Sequence, residues 1–146
     1  MAETLGSLCD KLTIVKLKQF HSVDMLRLES LARQETQLCE EIDTFLHDAV
    51  KGEIPHERFV FSSNKIYKKK GNEIDEITGT ISDIFSELAK ANCDLWHVQE
   101  KVYEFENVPP EEKDNVVRRL ALLNLRRTQC IDEIDKKLQD MIVSQY

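Results

Sequence analysis

"IDEITGTISDIFSELAKANCDLWHVQEKVYEF", residues 74–105, decides the fold. Ile74, Ile77, Ile81, Ile84, Leu88, Ala91, Leu95, Val98, Val102 and Phe105 recur within it at alternating steps of three and four. A strand would alternate every second residue; this spacing keeps one face of a helix apolar for about four heptads. A helix is therefore expected from about Glu73 to Phe105. Gly79 lies inside it, costs about 1 kcal/mol against alanine, and sets no boundary. Asn107-Val108-Pro109-Pro110 ends it. Pro110 suits the first turn of a following helix, with Glu111, Glu112 and Asp114 at its positive end. That helix is expected to run to about Met141.

The segment before residue 74 carries the same periodicity from about Thr4 to Val50. One continuous helix of that span would be about 70 Å long. A compact chain of this size has a radius of gyration of about 15 Å. A break is therefore expected, and His21-Ser22-Val23-Asp24 is its place. The segment shows two apolar faces. Leu5, Leu8, Leu12 and Val15 form one; Ile14, Leu17, Leu28, Leu31, Leu38, Ile42 and Phe45 form the other. Two faces suit a central helix or one shared with a second subunit, so a homo-oligomer through the first helix is expected. The fold class is all-α. The architecture is an elongated antiparallel bundle of three long helices, four if the first breaks near residue 22, in a single domain over 1–146.

Between the first two helical segments, Gly52 suits a helix C-cap and Pro55 blocks continuation. Arg58-Phe59-Val60-Phe61 reads as an extended stretch laid on the bundle. Lys65, Lys68, Lys69 and Lys70 surround Tyr67 in one basic run. It reads as a solvated loop or as an anion clamp over a pocket.

Composition narrows the function. Four glycines and three prolines are too few for the many tight turns of a sandwich or barrel. The net charge of −7 disfavours nucleic acid and anionic membrane surfaces as partners. The N-terminus lacks a basic stretch followed by an apolar core, so no secretory signal is expected. Cys9, Cys39, Cys93 and Cys130 form no CxxC or CxxH pair, which argues against zinc and for reduced thiols in a cytoplasmic protein. Glu-x-x-His pairs on two helices, as di-metal bundles need, are missing, and so is a glycine-rich phosphate loop. No metal or cofactor is expected.

Polar residues on the stripes are the candidate site. On the last helix, Leu120, Ile131, Ile134 and Leu138 bracket Asn124 and Arg127 where leucines are expected. On the first, the stripe extends to Asp10, His21 and Asp24. On the second, Asn92 and Trp96 flank the seam, and His97 and Glu100 lie one turn apart. Antiparallel packing can bring these sets to one level. Two functions follow. In one, the layer is a buried hydrogen-bonded network inside an interaction, scaffold or oligomeric structural protein. Arg127 then pairs with a carboxylate such as Asp10 or Glu100, and Asn124 fixes register. In the other, the chain binds or acts on an anionic small molecule such as a sugar phosphate or nucleotide sugar. Arg127 and Lys18 then bind charge, Asn92 and Asn124 set orientation, and Trp96 offers a stacking face. His97 or His21 moves protons, with Glu100 or Asp10 orienting it.

Three blocks carry a family resemblance: "LCDKLTIVKLKQFH" (8–21), "NCDLWHVQEK" (92–101) and "RRLALLNLRRTQCIDEID" (118–135). They resemble a bacterial all-helical family catalogued as a domain of unknown function and associated with cell-envelope sugar gene clusters. The matching positions are Asp10, Lys11, Ile14, Lys18 and His21; Asn92, Leu95, Trp96 and His97; and Asn124, Arg127, Ile134 and Asp135. The resemblance covers about a third of the chain. It implies a bacterial, cytosolic helical protein and no particular activity.

Overall fold

A computed structural model describes residues 2–61 and 76–144. It is an all-α bundle of four helices: α1 (Leu5–Phe20), α2 (Met25–Val50), α3 (Ile81–Tyr103) and α4 (Lys113–Val143). No strand occurs among the described residues. The long first segment does break at His21–Asp24. Asp24 stops one helix from running into the next, because its carboxylate accepts the Leu26 and Arg27 amides and starts α2. At the other end of α1, Thr4 and Ser7 form a capping box.

Two expectations are corrected. α3 does not begin near Glu73. Thr80 caps it, with the Asp83 amide bonded to the Thr80 hydroxyl and the Asp83 carboxylate accepting the Thr80 amide. Gly79 just before the cap has φ +117°, and a Cβ there would meet Asp83 at 2.8–2.9 Å. The glycine is therefore a boundary, made necessary by a backbone conformation that other residues rarely adopt. Ile77 belongs to the core although it lies outside the helix. The second correction concerns Phe59. It follows a 3-10 turn over His56–Arg58 with helical backbone angles, and is fully buried instead of lying extended on the surface. The basic run at Lys65, Lys68, Lys69 and Lys70, and the first expected turn of the second helix around Ile74, lie outside the described residues.

Side-chain pairings give the topology. Lys16 and Gln19 of α1 both bond Glu35 of α2, while Lys11 and Glu41 line the same groove lower down, so α1 and α2 are antiparallel. Asp10 meets Arg127, and Gly6 meets Asp135, so α1 and α4 are antiparallel. Asp10 meets Asn92 and His21 meets Trp96, so α1 and α3 run parallel. α3 and α4 form an antiparallel hairpin with an Arg126–Glu87 ion pair across it. The order is up, down, up, down. α1 packs on all three other helices. On its first apolar face Leu5, Leu8 and Val15 are buried, while Leu12 of that face and Ile14 and Leu17 of the second are half-buried.

The bundle has two cores. The lower one joins Leu5 and Cys9 of α1, Ala49 of α2, Ile84 and Leu88 of α3, and Cys130, Ile134 and Leu138 of α4, with Phe59 and Ile77 from the connection. The upper one lies within the hairpin: Val98, Val108, Val116 and Leu123, with Leu95, Val102, Phe105 and Leu120 packed against them. Along α3 the cores are separated at Asn92, and along α4 at Arg127.

Candidate functional site: a polar layer between two cores

Asp10 is the centre of the layer and is only 4% exposed. An isolated carboxylate at that depth would not remain charged without partners. It has several. Arg127 donates from Nε to Oδ1 at 2.9 Å and from Nη2 to Oδ2 at 2.6 Å, a two-point fork. Asn92 Nδ2 donates to Oδ1 at 2.9 Å. The same amide donates to the Thr13 hydroxyl at 2.6 Å, and that hydroxyl donates to the Asp10 carbonyl at 2.7 Å. Among the described residues, no buried side-chain nitrogen or oxygen lacks a hydrogen-bond partner. Hydrogen bonding to Asp10 raises the Arg127 pKa above its usual value, so the guanidinium stays charged. Its side chain is 34% exposed, so the layer is closed to solvent at Asp10, Thr13 and Asn92 and accessible at the arginine.

A second buried carboxylate holds the lower end of α1. Asp135 Oδ1 accepts the Gly6 amide at 2.7 Å, one of the first-turn N–H groups that a helix cannot satisfy by itself. Gly6 permits the approach: a Cβ there would lie 2.4 Å from the Ile131 carbonyl oxygen. Burial pushes the Asp135 carboxyl up to about 6, although the Gly6 amide and the Thr4 hydroxyl pull it down. Burial, with Asp135 and Asp10 nearby, raises the Cys9 thiol to about 11. Cys130 is likewise pushed up to about 11 by burial. Both are protonated, unreactive groups at neutral pH.

The aromatic part of the candidate site lies above the layer on the surface. The His21 ring stacks on Trp96 with centroids 4.7 Å apart and planes 8° from parallel. His97 stands edge-on to His21 at 6.0 Å, and its Nδ1 is 3.4 Å from Glu100 Oε1. His21, His97 and Glu100 are exposed, and Trp96 is half-buried.

The sequence-derived candidates therefore separate into groups. Asp10, Asn92 and Arg127 form one network, with Asp10 as the carboxylate partner of Arg127. His21, Trp96, His97 and Glu100 form a neighbouring surface cluster. Lys18 lies elsewhere, lining the α1–α2 groove with Ile14, Gln34 and Leu38. Asn124 is exposed and does not interrupt the stripe. The buried line on α4 runs Val116, Leu123, Cys130, Ile134, Leu138, so Leu123 fills the place assigned to Asn124 and Arg127 alone breaks the row. Asn92 is buried within the seam instead of beside it. Thr13 and Gly6 are not among the sequence-derived candidates, and Asp135 is named only as a matching position of the family resemblance. Thr13 sits one turn from Asp10, which was the available signal; the Gly6–Asp135 contact has no signal in local spacing. Among the described residues, no group of three or more His, Cys, Asp or Glu side chains is arranged to hold a metal ion. No described helix is long and apolar enough to cross a membrane.

No protein-family model, curated protein or solved structure matches the chain.

Proposed function

We propose that this chain is a self-associating helical interaction or scaffold protein in which the polar layer orders the helices. The observation that carries the proposal is the fork of Arg127 on Asp10. An arginine that recruits a phosphate or carboxylate ligand must offer its donors to that ligand; here Nε and Nη2 are engaged by a carboxylate of the protein itself. The layer also suits a specificity role. A polar set between two apolar cores penalises any sliding of α1 along α3 and α4, because a shift of one turn would bury Asp10 against leucines without partners. The three blocks of the family resemblance hold Asp10 with Thr13, Asn92, and Arg127 respectively, so the kinship we propose rests on the same network. Four free cysteines fit a reducing compartment, and the proposal includes a cytoplasmic location.

The competing function, binding of an anionic metabolite, is addressed by thermal shift against sugar phosphates, nucleotide sugars and inorganic phosphate. A ligand specific for the native state raises the midpoint by mass action. The proposal expects no rise beyond about 1 °C at about 1 mM ligand. A concentration-dependent rise that disappears in Arg127→Lys would overturn it.

A further inference from the structure

Phe20, Val23, Met25 and Leu26 lie within seven residues at the corner between α1 and α2. They are 84%, 94%, 69% and 77% exposed. Single exposed apolar residues are ordinary; four at one corner are not. Summed over the four side chains, the exposed apolar surface is on the order of 500 Å², comparable in size to the largest apolar patch of a typical monomeric protein. The corner is built, not frayed. Asp24 caps α2 and fixes Met25 and Leu26 in its first turn. His21 is clamped flat against Trp96, and the Phe20 ring stands edge-on to His21 at 5.1 Å. Holding an apolar corner in one shape reduces the ordering cost of docking it.

We infer that this corner is the interface through which two copies of the chain pair, with a two-fold axis near Val23. The inference deepens the scaffold reading and rests on it. Area is the first argument. A standard interface buries about 800 Å² per partner, and the corner supplies well over half of that from apolar side chains alone. Symmetry is the second. A two-fold contact needs a patch complementary to itself. This corner also carries exposed Asp24 and Arg27 among its apolar residues, so opposite charges can meet across a two-fold axis. Charge also argues against a bilayer as the occupant, since a chain of net charge −7 is repelled by an anionic leaflet.

Sedimentation velocity on the full chain from about 1 to 100 µM tests the inference. Leu26→Glu and Val23→Ser are the variants, with Val117→Glu as a control at another exposed apolar position. Glutamate in the first turn of α2 is compatible with the helix, and Val23 lies in the corner outside either helix, so far-UV dichroism should be unchanged. The expected result is a concentration-dependent dimer whose dissociation constant rises at least about tenfold in both corner variants and stays put in the control. A wild type that remains monomeric at about 100 µM overturns the inference. So does a dimer that survives both corner variants, or a monomer that cosediments with phosphatidylcholine vesicles through the corner. A monomeric wild type would also remove self-association from the proposed function, while the ordering role of the polar layer is tested separately by Arg127 variants.

Discussion

Arg127→Leu removes a guanidinium and leaves the Asp10 carboxylate, 4% exposed in the wild type, with Asn92 as its one remaining side-chain donor among the described residues. Breaking a buried ion pair from one side costs about 3–5 kcal/mol. Here the low end applies, because the arginine side chain is 34% exposed and Asn92 still donates. The expected loss is about 3 kcal/mol, or roughly 10 °C in midpoint for a chain of this size. The companion change is Asp10→Asn in the Arg127→Leu background. Asparagine keeps an oxygen for the Asn92 amide and removes the stranded charge. The double variant should recover to within about 1 kcal/mol of wild type, so that Asp10→Asn regains about 2 kcal/mol in the Arg127→Leu background and costs stability when made alone. Urea unfolding followed by far-UV dichroism measures all four corners of the cycle. An Arg127→Leu protein within about 0.5 kcal/mol of wild type, or a double variant no better than the single, would refute the structural role assigned to the pair.

Three further outcomes are expected. Asp135 has a folded pKa raised to about 6 from 3.8, so the folded state binds its proton more tightly; its stabilising contribution is complete below pH ~3.8 and is lost as pH rises through ~6, a span on the order of 3 kcal/mol. Asp135→Asn keeps an acceptor for Gly6 and should remove that part of the slope in urea titrations between pH 4.5 and 7.5; an unchanged slope would mean the carboxyl is not the titrating group. Gly6→Ala should lose about 2 kcal/mol in the same assay, because the clash with the Ile131 carbonyl outweighs the roughly 1 kcal/mol that alanine gains in helix propensity; a stabilised variant would show that α1 and α4 are less closely apposed. Iodoacetamide mapped by mass spectrometry should modify exposed Cys39 first and reach Cys9 and Cys130 only on unfolding, since both are buried with thiols near 11; early labelling of Cys130 would contradict the lower core.

Local physics made much of this fold legible. The heptad stripe from Ile81 to Val102, the proline pair before α4 and the length argument against one long first helix each correspond to an element or a break. What escaped was decided by single residues whose meaning depends on backbone geometry. Thr80 and Asp83 form a capping box, a pattern present in the sequence, while Ile74 and Ile77 continue the apolar spacing beyond the helix start. Asn124 was misplaced because the α4 row was counted through Ile131, one residue off the buried line through Cys130. Arg127 was found because a lone cation on an apolar row must have a partner, and Asp10 because the extended row of α1 reached it. The contact of Gly6 with Asp135 spans 129 residues, and no local pattern reports it.

The central claim is that the donors of Arg127 are used within the protein and are not offered to a ligand. The side-chain Nε–H of Arg127 in a nitrogen-15 correlation spectrum tests it directly. The account predicts a resolved resonance with slowed solvent exchange, unmoved by sugar phosphates or inorganic phosphate and lost in Asp10→Asn. A rapidly exchanging Nε–H that sharpens and shifts when an anionic metabolite is added would contradict it.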